Sequence, residues 1–479
     1  MVKPVVFFRA DGSNTMGLGH ITRCSALAEI LRGSFRTILL TGAATPVPVI
    51  DTVRQSFNRI EQVPDSNLTD ELAFVAETIG AGSIVVLDGY HFGTAYQRTV
   101  RQSGCLLVCI DDICQGFFEA DVVINTSGHV SPADYRAAWF TRLYLGPAYR
   151  LLRKPFWQPV DANKTVGSVL INFGGADPGN QTLRALEQCV ASAPDHSYEI
   201  VIGAAYQFKE ELYQSIRLLK ANVRVHESIN AQQVYDLMAS CEFAVTAPST
   251  VSYEYLTTGG KLFLQVIADN QVGMFAWLVS KGYAKPFDVF PAGTYARLEA
   301  GFVDELRKIF SRLATEQTVR IREVLPGDVH LTYDWYMDQE VRRQSYSEEI
   351  AGFDQHSDWF ARRVHPGPAA TWFIAMHDDV AIGQARFDIQ GKIATIGYLV
   401  DQQARGNGFA PIIIKKAIQR LTELNSYLSE VRGYVKNQNH VSGKAFLNLG
   451  FTRSPTTEYP DSSVYVLKIT HENIPHRGI

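Results

Sequence analysis

Val5-Val-Phe-Phe8, then Arg9-Ala-Asp-Gly-Ser-Asn-Thr-Met-Gly-Leu-Gly-His20, then Ile21 to Leu31: an apolar run, a glycine-bearing loop and a helical pattern follow one another directly. Four consecutive β-forming apolar residues read as a buried strand, and the loop turns it into a helix. The same alternation recurs through Arg36 to Leu40, Ser83 to Leu87, Leu106 to Ile110 and Asp121 to Ile124. It predicts βαβ units around a mainly parallel sheet. A second series follows at Ser168 to Phe173, Glu199 to Ile202, Val223 to His226, Phe243 to Ala247 and Lys261 to Val266. The expected fold class is therefore α/β, with two successive αβα Rossmann-type domains, residues 1–155 and 156–316, and ligands at the carboxyl ends of the strands. Thr294 to Leu313 predicts a closing helix, and the polar, aperiodic Ala314 to Thr318 predicts a linker. A third domain, 317–479, has a different order. Helices at Asp328 to Met337 and Asp354 to Arg363 come first, then strands at Thr371 to Met376, Ala381 to Phe387 and Ala394 to Val400.

Composition sets the outer limits. With 46% hydrophobic and 20% charged residues and a net charge of -4, the chain offers no basic surface for nucleic acid or anionic lipid. Arg9 and Asp11 interrupt the N-terminal apolar run before a signal-peptide core forms, and no run reaches the roughly 20 apolar residues of a membrane helix. The six cysteines, Cys24, Cys105, Cys109, Cys114, Cys189 and Cys241, lack paired zinc spacing. A soluble protein of the reducing cytoplasm is expected, its cysteines buried as small apolar residues.

The first loop has the parts of an anion site. Gly17 and Gly19 let the backbone approach a ligand closely, and the helix behind them presents free N–H groups and a positive dipole end. That field biases His20 toward the neutral imidazole, which accepts a proton from water. A histidine that merely caps or packs at the helix start fits the loop equally. In the second domain, Gly174-Gly175-Ala-Asp177 follows a strand and could cradle a departing diphosphate without a metal. Ser249-Thr250 opens a helix carrying Glu254, a residue placed to grip ribose hydroxyls or, alternatively, a solvated helix glutamate. Asp111-Asp112 reads as a turn-and-cap pair rather than a metal site.

In order along the chain stand Arg9-x-Asp11, Gly17-x-Gly19-His20-x-x-Arg23-Cys24, Asp88-x-Tyr90, Asp111-Asp112, Gly146-Pro-x-Tyr149-x-x-Leu152-Arg153, Gly174-Gly175-x-Asp177, Glu254 and Asn270-Gln271. Over about residues 4 to 290 this series resembles the UDP-2,4-diacetamido-2,4,6-trideoxy-β-L-altropyranose hydrolases of pseudaminic acid biosynthesis. The resemblance implies a GT-B fold like that of the MurG glycosyltransferase, with UDP held by the second αβα domain. It implies His20 as base or water-positioning group, with Asp11, Tyr90 and Asn270 completing the catalytic set. Gly17, Gly19, Arg23, Gly174, Gly175, Ser249, Thr250, Glu254 and Gln271 would contact the UDP-linked diamino-trideoxy sugar, and no metal is expected. Sugar transfer to an acceptor is the alternative that the same fold allows.

The third domain has its own motif. Strand Ala394 to Val400 leads into Asp401-Gln-Gln-Ala-Arg405-Gly406-Asn407-Gly408-Phe409-Ala410, and a helix with one apolar face follows from Pro411 to Leu424. Asn439-x-x-Ser442 and Leu449-Gly450-Phe451 come later. Together they resemble the acetyl-CoA site of the GNAT superfamily. The resemblance implies Val400, Arg405, Gly406, Gly408, Phe409 and Ala410 at the pyrophosphate, and Asn439 with Ser442 near the pantetheine arm. Trp335, Asp338, Val341-Arg342, Ser345, His356 and Trp359-Phe360 resemble the branch that acetylates the 4-amino group of UDP-linked 4-amino-4,6-dideoxy sugars; helix packing is the alternative for His356 and Trp359. Phe446 stands where many GNAT enzymes carry a proton-donating tyrosine, so the general acid is unassigned, and a non-catalytic acetyl-CoA-binding module is the alternative.

Overall fold

The computed structural model describes residues 3–12, 18–64, 68–158, 163–203, 205–347, 349–364 and 371–469. It forms two compact units. The first comprises Met1–Ala137 with Thr141–Leu313, the second Ala138–Phe140 with Ala314–Ile479.

The first unit holds two parallel-sheet, Rossmann-like bodies. In the first sheet the strands run in the order Arg59–Val63, Arg36–Gly42, Val5–Ala10, Ile84–Asp88, Leu106–Ile110, Val122–Asn125 and Arg142–Leu145, all parallel. Val5–Ala10 lies between two neighbours and is buried along almost its whole length, which its apolar composition requires. The second sheet has Thr165–Asn172 and Cys241–Thr246 at its centre, flanked by Ser197–Ile202 and Asn222–Glu227 on one side and by Lys261–Leu264 and Lys285–Pro286 on the other. Its strands are parallel throughout.

Two features of sequence bring the two bodies of this unit close. A Cβ added at Gly128 would lie 2.1 Å from Trp277, and one at Gly273 would lie 2.3 Å from His129, so both positions require the smallest side chain. Beside them, the buried Tyr253 hydroxyl donates to the carbonyl of Thr126 at 2.9 Å.

The second unit has a mixed sheet. Val319–Glu323, Trp372–His377, Val380–Gln390 and Ile393–Val400 form an antiparallel meander. Glu430–Lys436 then pairs with Ile393–Val400 in parallel, but only from Ile393–Ile396 against Glu430–Gly433. Both strands continue past that register, to Val400 and Lys436, without pairing to each other. The helix Phe409–Leu424 buries Ile412, Ile413, Ile414, Ala417, Ile418 and Leu421 in the core of this unit.

One expectation is corrected here. Ala314 to Thr318 is no linker, because the helix Phe302–Thr318 runs through it and the strand Val319–Glu323 starts at once. Alanine, glutamate and glutamine favour helix, and Glu316 has a tertiary partner that a sequence pattern does not reveal. Its carboxylate, fully buried, pairs with the equally buried Lys415 ammonium at 2.6 Å. Breaking a buried pair strands its partner's charge. Glu316→Ala is therefore expected to destabilise the second unit by about 3–5 kcal/mol, read as a lower denaturant midpoint for that unit; an unchanged midpoint would contradict this role.

Candidate functional site

Strand Val5–Ala10 delivers the chain to the helix Gly19–Leu31, whose second residue is His20. Gly17 falls outside the described residues. Gly19 opens the helix and has open space around its α-carbon. His20 is buried, and its Nδ1 lies 2.6 Å from Asp88 Oδ1. Asp88 is fully buried at the carboxyl end of its strand. The carboxylate favours the tautomer with the proton on Nδ1, which leaves the Nε2 lone pair for chemistry, while Arg23 Nη2, 2.9 Å from the same Nδ1, opposes it.

Arg23 stands one turn after His20 on the same helix, so both side chains project to one face. Its guanidinium donates to both Asp88 oxygens, at 3.0 and 2.7 Å, and to Asp112 Oδ2 at 2.8 Å. Burial alone would push the Asp88 carboxyl up. Arg23 and the His20 hydrogen bond outweigh it and hold Asp88 below the usual carboxylate range. Arg23 itself is raised despite burial, because two carboxylates face it.

Tyr90 and Asn270 join this group from opposite bodies of the unit. The Tyr90 ring meets the His20 ring edge-on at 4.8 Å, its hydroxyl lies 3.4 Å from Asp112 Oδ2, and Asn270 Nδ2 donates to that hydroxyl at 3.3 Å. Burial, then the charge of Asp112, pushes the Tyr90 phenol up to about 12, so it remains a donor at neutral pH. Asp11 belongs to a neighbouring network. It accepts from Arg9 and from the Gly42 N–H, each at 2.6 Å, and lies 3.6 Å from His91. Burial, then the Arg9 charge, lowers the His91 imidazole.

On the other body, Gly174 has φ +90°, and a Cβ on Gly175 would sit 3.2 Å from Leu18. The Gly174-Gly175 turn thus abuts the residue two before His20. Asp177 caps the next helix, accepting from Gln181 N and Thr182 N at 2.9 and 2.7 Å. Ser249 is the N-cap of the helix Thr250–Thr258, and Gln271 Oε1 accepts from Ile267 N, closing the turn beside Asn270. Glu254 is not a solvated glutamate. It is buried, and Arg153 takes its two oxygens at 2.7 and 2.6 Å.

The sequence reading left out Asp88, Asp112, His91 and Arg153 as site residues. For Asp88 a signal existed, since a carboxylate ending a strand stands at the ligand-binding edge of a parallel sheet. Arg153 stood in the ordered series too, but its partner lies 101 residues away and could not be read from it. Asp111 does serve its turn, accepting from Ile113 N and Cys114 N at 3.3 and 3.0 Å. Among the described residues, no group of three or more His, Cys, Asp or Glu side chains is placed to hold a metal ion.

In the second unit, Gly406 and Gly408 have φ of +82° and +76°, and Phe409 and Ala410 open the helix that follows. The first N–H groups of a helix have no partner within it, so this turn is shaped for an anionic group. Arg405 donates to the Val400 carbonyl at 3.1 Å and pairs with Asp338 at 2.8 Å; Trp335 Nε1 donates to Asp401 at 2.7 Å. Trp335 and Asp338 therefore brace the loop. Asn439 caps the helix His440–Leu447 through Ser442 N at 3.1 Å, and Ser442 Oγ shares a hydrogen bond of 2.8 Å with the Tyr398 hydroxyl. Tyr398 and Phe446 meet edge-on at 5.6 Å, near where the two central strands separate. His356 is buried against Tyr333, Tyr336 and Trp359 and contacts Thr332 Oγ1 at 3.1 Å, which is helix packing.

Comparison with known proteins finds relatives of each part of the chain and one that spans both. Residues 318–452 match the acetyltransferase (GNAT) domain family. A UDP-2,4-diacetamido-2,4,6-trideoxy-β-L-altropyranose hydrolase of Campylobacter jejuni is 23% identical over 286 residues, 58% of this chain and 97% of its own. An uncharacterized protein of Methanocaldococcus jannaschii is 21% identical over 397 residues, 78% of this chain and 80% of its own. Among solved structures, spermidine N-acetyltransferase of Vibrio cholerae with CoA and spermine matches 32% of this chain and 96% of its own, at 15% identity and a TM-score of 0.29. An aminoglycoside acetyltransferase with coenzyme A matches 31% and 94%, at 16% identity and a TM-score of 0.28. The chain thus joins an N-terminal part similar to a UDP-diacetamido-trideoxy-altropyranose hydrolase to a C-terminal acetyltransferase (GNAT) domain.

Proposed function

We propose that the chain is a bifunctional sugar-nucleotide enzyme of pseudaminic acid biosynthesis working in the cytoplasm, with domains 1–155, 156–316 and 317–479. The third domain acetylates the 4-amino group of UDP-4-amino-4,6-dideoxy-N-acetyl-β-L-altrosamine. The first two, as a GT-B pair, hydrolyse the resulting UDP-2,4-diacetamido-2,4,6-trideoxy-β-L-altropyranose and release UDP. The observation that carries the hydrolase half is the Asp88–His20 pair, with Tyr90 and Asn270 beside it. Similarity to the Campylobacter jejuni hydrolase and the acetyltransferase (GNAT) match over residues 318–452 support the rest.

His20 Nε2 takes a proton from a water as that water's oxygen bonds to the anomeric carbon and the bond to the diphosphate breaks. Asp88 holds the ring and stabilises the imidazolium that forms. Gly174, Gly175 and the helix start at Ser249 and Thr250 face the negative charge gathering on UDP, so no metal is called for. Arg153 uses one lone pair of each Glu254 oxygen; the remaining pairs stay available to ribose hydroxyls. Arg23 and Gln271 keep Asp88 and Asn270 in place, while Asp11 with His91 closes the sugar side.

In the third domain acetyl-CoA supplies an activated acetyl group. Val400, Arg405, Gly406, Gly408, Phe409 and Ala410 shape its pyrophosphate turn, and the gap where the central strands part suits an extended pantetheine chain with Asn439 and Ser442 alongside. Placing both sites on one chain raises the local concentration of the acetylated intermediate.

His20→Ala is expected to lower UDP release at least about 100-fold while CoA release stays unchanged, measured on the amino sugar with acetyl-CoA. Loss of both, or of neither, would contradict two independent sites. UDP release that required an added acceptor would favour glycosyl transfer instead. The depressed Asp88 carboxyl gives a second expectation. Its stabilising charge is present above its unfolded value of about 3.9 and is lost as pH falls through the lower folded value. Unfolding midpoints should therefore fall more steeply below about pH 4 for the natural protein than for Asp88→Asn.

A further inference from the structure

In the sheet of the second unit, Trp372, Arg386 and Gly397 stand directly opposite one another on three neighbouring strands. Directly paired residues share a face, and here it is the face opposite the core that Phe373, Ala385 and Ile396 help to fill. The helix Phe353–Val364 covers part of it. Trp372 is buried there, its ring 5.4 Å from Trp359 and 5.2 Å from Phe360. Gly397, two strands away, is exposed, and a Cβ added to it would meet nothing within 4 Å. Arg386 therefore lies at the margin of the covered region, beside bare sheet.

Cations outnumber carboxylates at this margin. The Arg363 and Arg386 guanidiniums lie 5.5 and 5.2 Å from the Trp359 ring. Arg363 pairs with Asp388 at 2.6 Å, whereas Arg386 finds neither a hydrogen bond nor an ion pair among the described residues. Arg386 is half-buried, and of its nitrogens only Nε is fully enclosed, so Nη1 and Nη2 are the atoms that solvent reaches. The indole N–H of the half-buried Trp359 also has no partner among the described residues. Burial, then the charge of Arg363, lowers the Arg386 guanidinium. Arg23 of the first unit shows the opposite, raised by two facing carboxylates.

Donors without acceptors, with one positive charge in excess, call for an anion that a ligand brings. A carboxylate has two coplanar oxygens, which a single arginine fork satisfies. A phosphate presents three, so it can accept from the guanidinium and from the indole N–H together. We propose that Arg386 and Trp359 hold a phosphate of a nucleoside diphosphate, so that the second unit carries a UDP site of its own, separate from that of the first. The identity of the nucleotide rests on the acetyltransferase reading above. The inference adds a regulation: UDP released by the first unit competes with the amino sugar in the second and slows acetylation as it accumulates.

Calorimetric titration of UDP into the full chain tests this without turnover. Relative to the natural protein, Arg386→Gln is expected to lose one UDP per chain, or to hold it at least about tenfold more weakly, whether or not the first unit binds UDP as well. Gly397 has no left-handed φ, so Gly397→Val fills the bare sheet and should remove the same site with Arg386 and Trp359 intact. In turnover by the natural protein, UDP should raise KM for the 4-amino sugar and leave KM for acetyl-CoA unchanged. Titrations that are the same for the natural protein and both folded variants overturn the inference, as does a lower unfolding midpoint as the sole effect of Arg386→Gln. Inhibition by UDP that acetyl-CoA relieves would assign the site to the cofactor, and inorganic phosphate bound there as tightly as UDP would make it a plain anion site; either result overturns it, even if neither variant folds. A chain that binds UDP through Arg386 yet releases no CoA from the amino sugar upholds the site and overturns the acetyltransferase reading.

Discussion

Arg23 is a single cation buried between two carboxylates, and the arrangement of the N-terminal site follows from it. Taking a guanidinium out of water is expensive unless its donors find charged partners. Asp88 and Asp112 meet that requirement from the ends of neighbouring strands, 2.7 to 3.0 Å away. Asp88 in turn orients His20, and Asp112 meets Tyr90, which meets Asn270 on the other body of the unit. One ion-pair cluster thus fixes the imidazole and a contact across the unit. Three strands and one helix must be in register before any of these groups is in place.

The second unit solves a similar problem with backbone. Its glycine turn is held open by positive φ at Gly406 and Gly408, and braced by the Arg405–Asp338 pair and the Trp335–Asp401 hydrogen bond. Side chains there position the main chain, whereas in the first unit side chains face the chemistry. The difference suits the two proposed reactions. A diphosphate held by N–H groups needs geometry, while activating water needs a base with a free lone pair.

Much of this was legible in the sequence because buried parallel strands are written in unbroken apolar runs. Val5–Ala10, Leu106–Ile110 and Cys241–Thr246 lie where those runs fall. Two edge strands, Arg59–Val63 and Arg142–Leu145, escaped, since half-exposed strands carry charges that break the pattern, whereas the edge strand Asn222–Glu227 was visible as Val223 to His226. The glycine–histidine loop was visible, yet its meaning rested on Asp88, which the strand pattern ended one residue short of. Arg405 stands in the turn expected at a pyrophosphate, and the partners of its guanidinium, Val400 and Asp338, could not be read from the motif. Long-range pairs of this kind, like Arg153 with Glu254, leave no local trace.

The central claim is that one chain performs two ordered reactions on one sugar nucleotide. A single proton NMR time course on the full chain with the 4-amino sugar nucleotide and acetyl-CoA tests it most directly. The account predicts that the C4 amide signal rises first and that the UDP-linked anomeric proton disappears only as that amide accumulates. Loss of the anomeric signal before any amide forms, or an amide that accumulates with the anomeric proton intact, would contradict it.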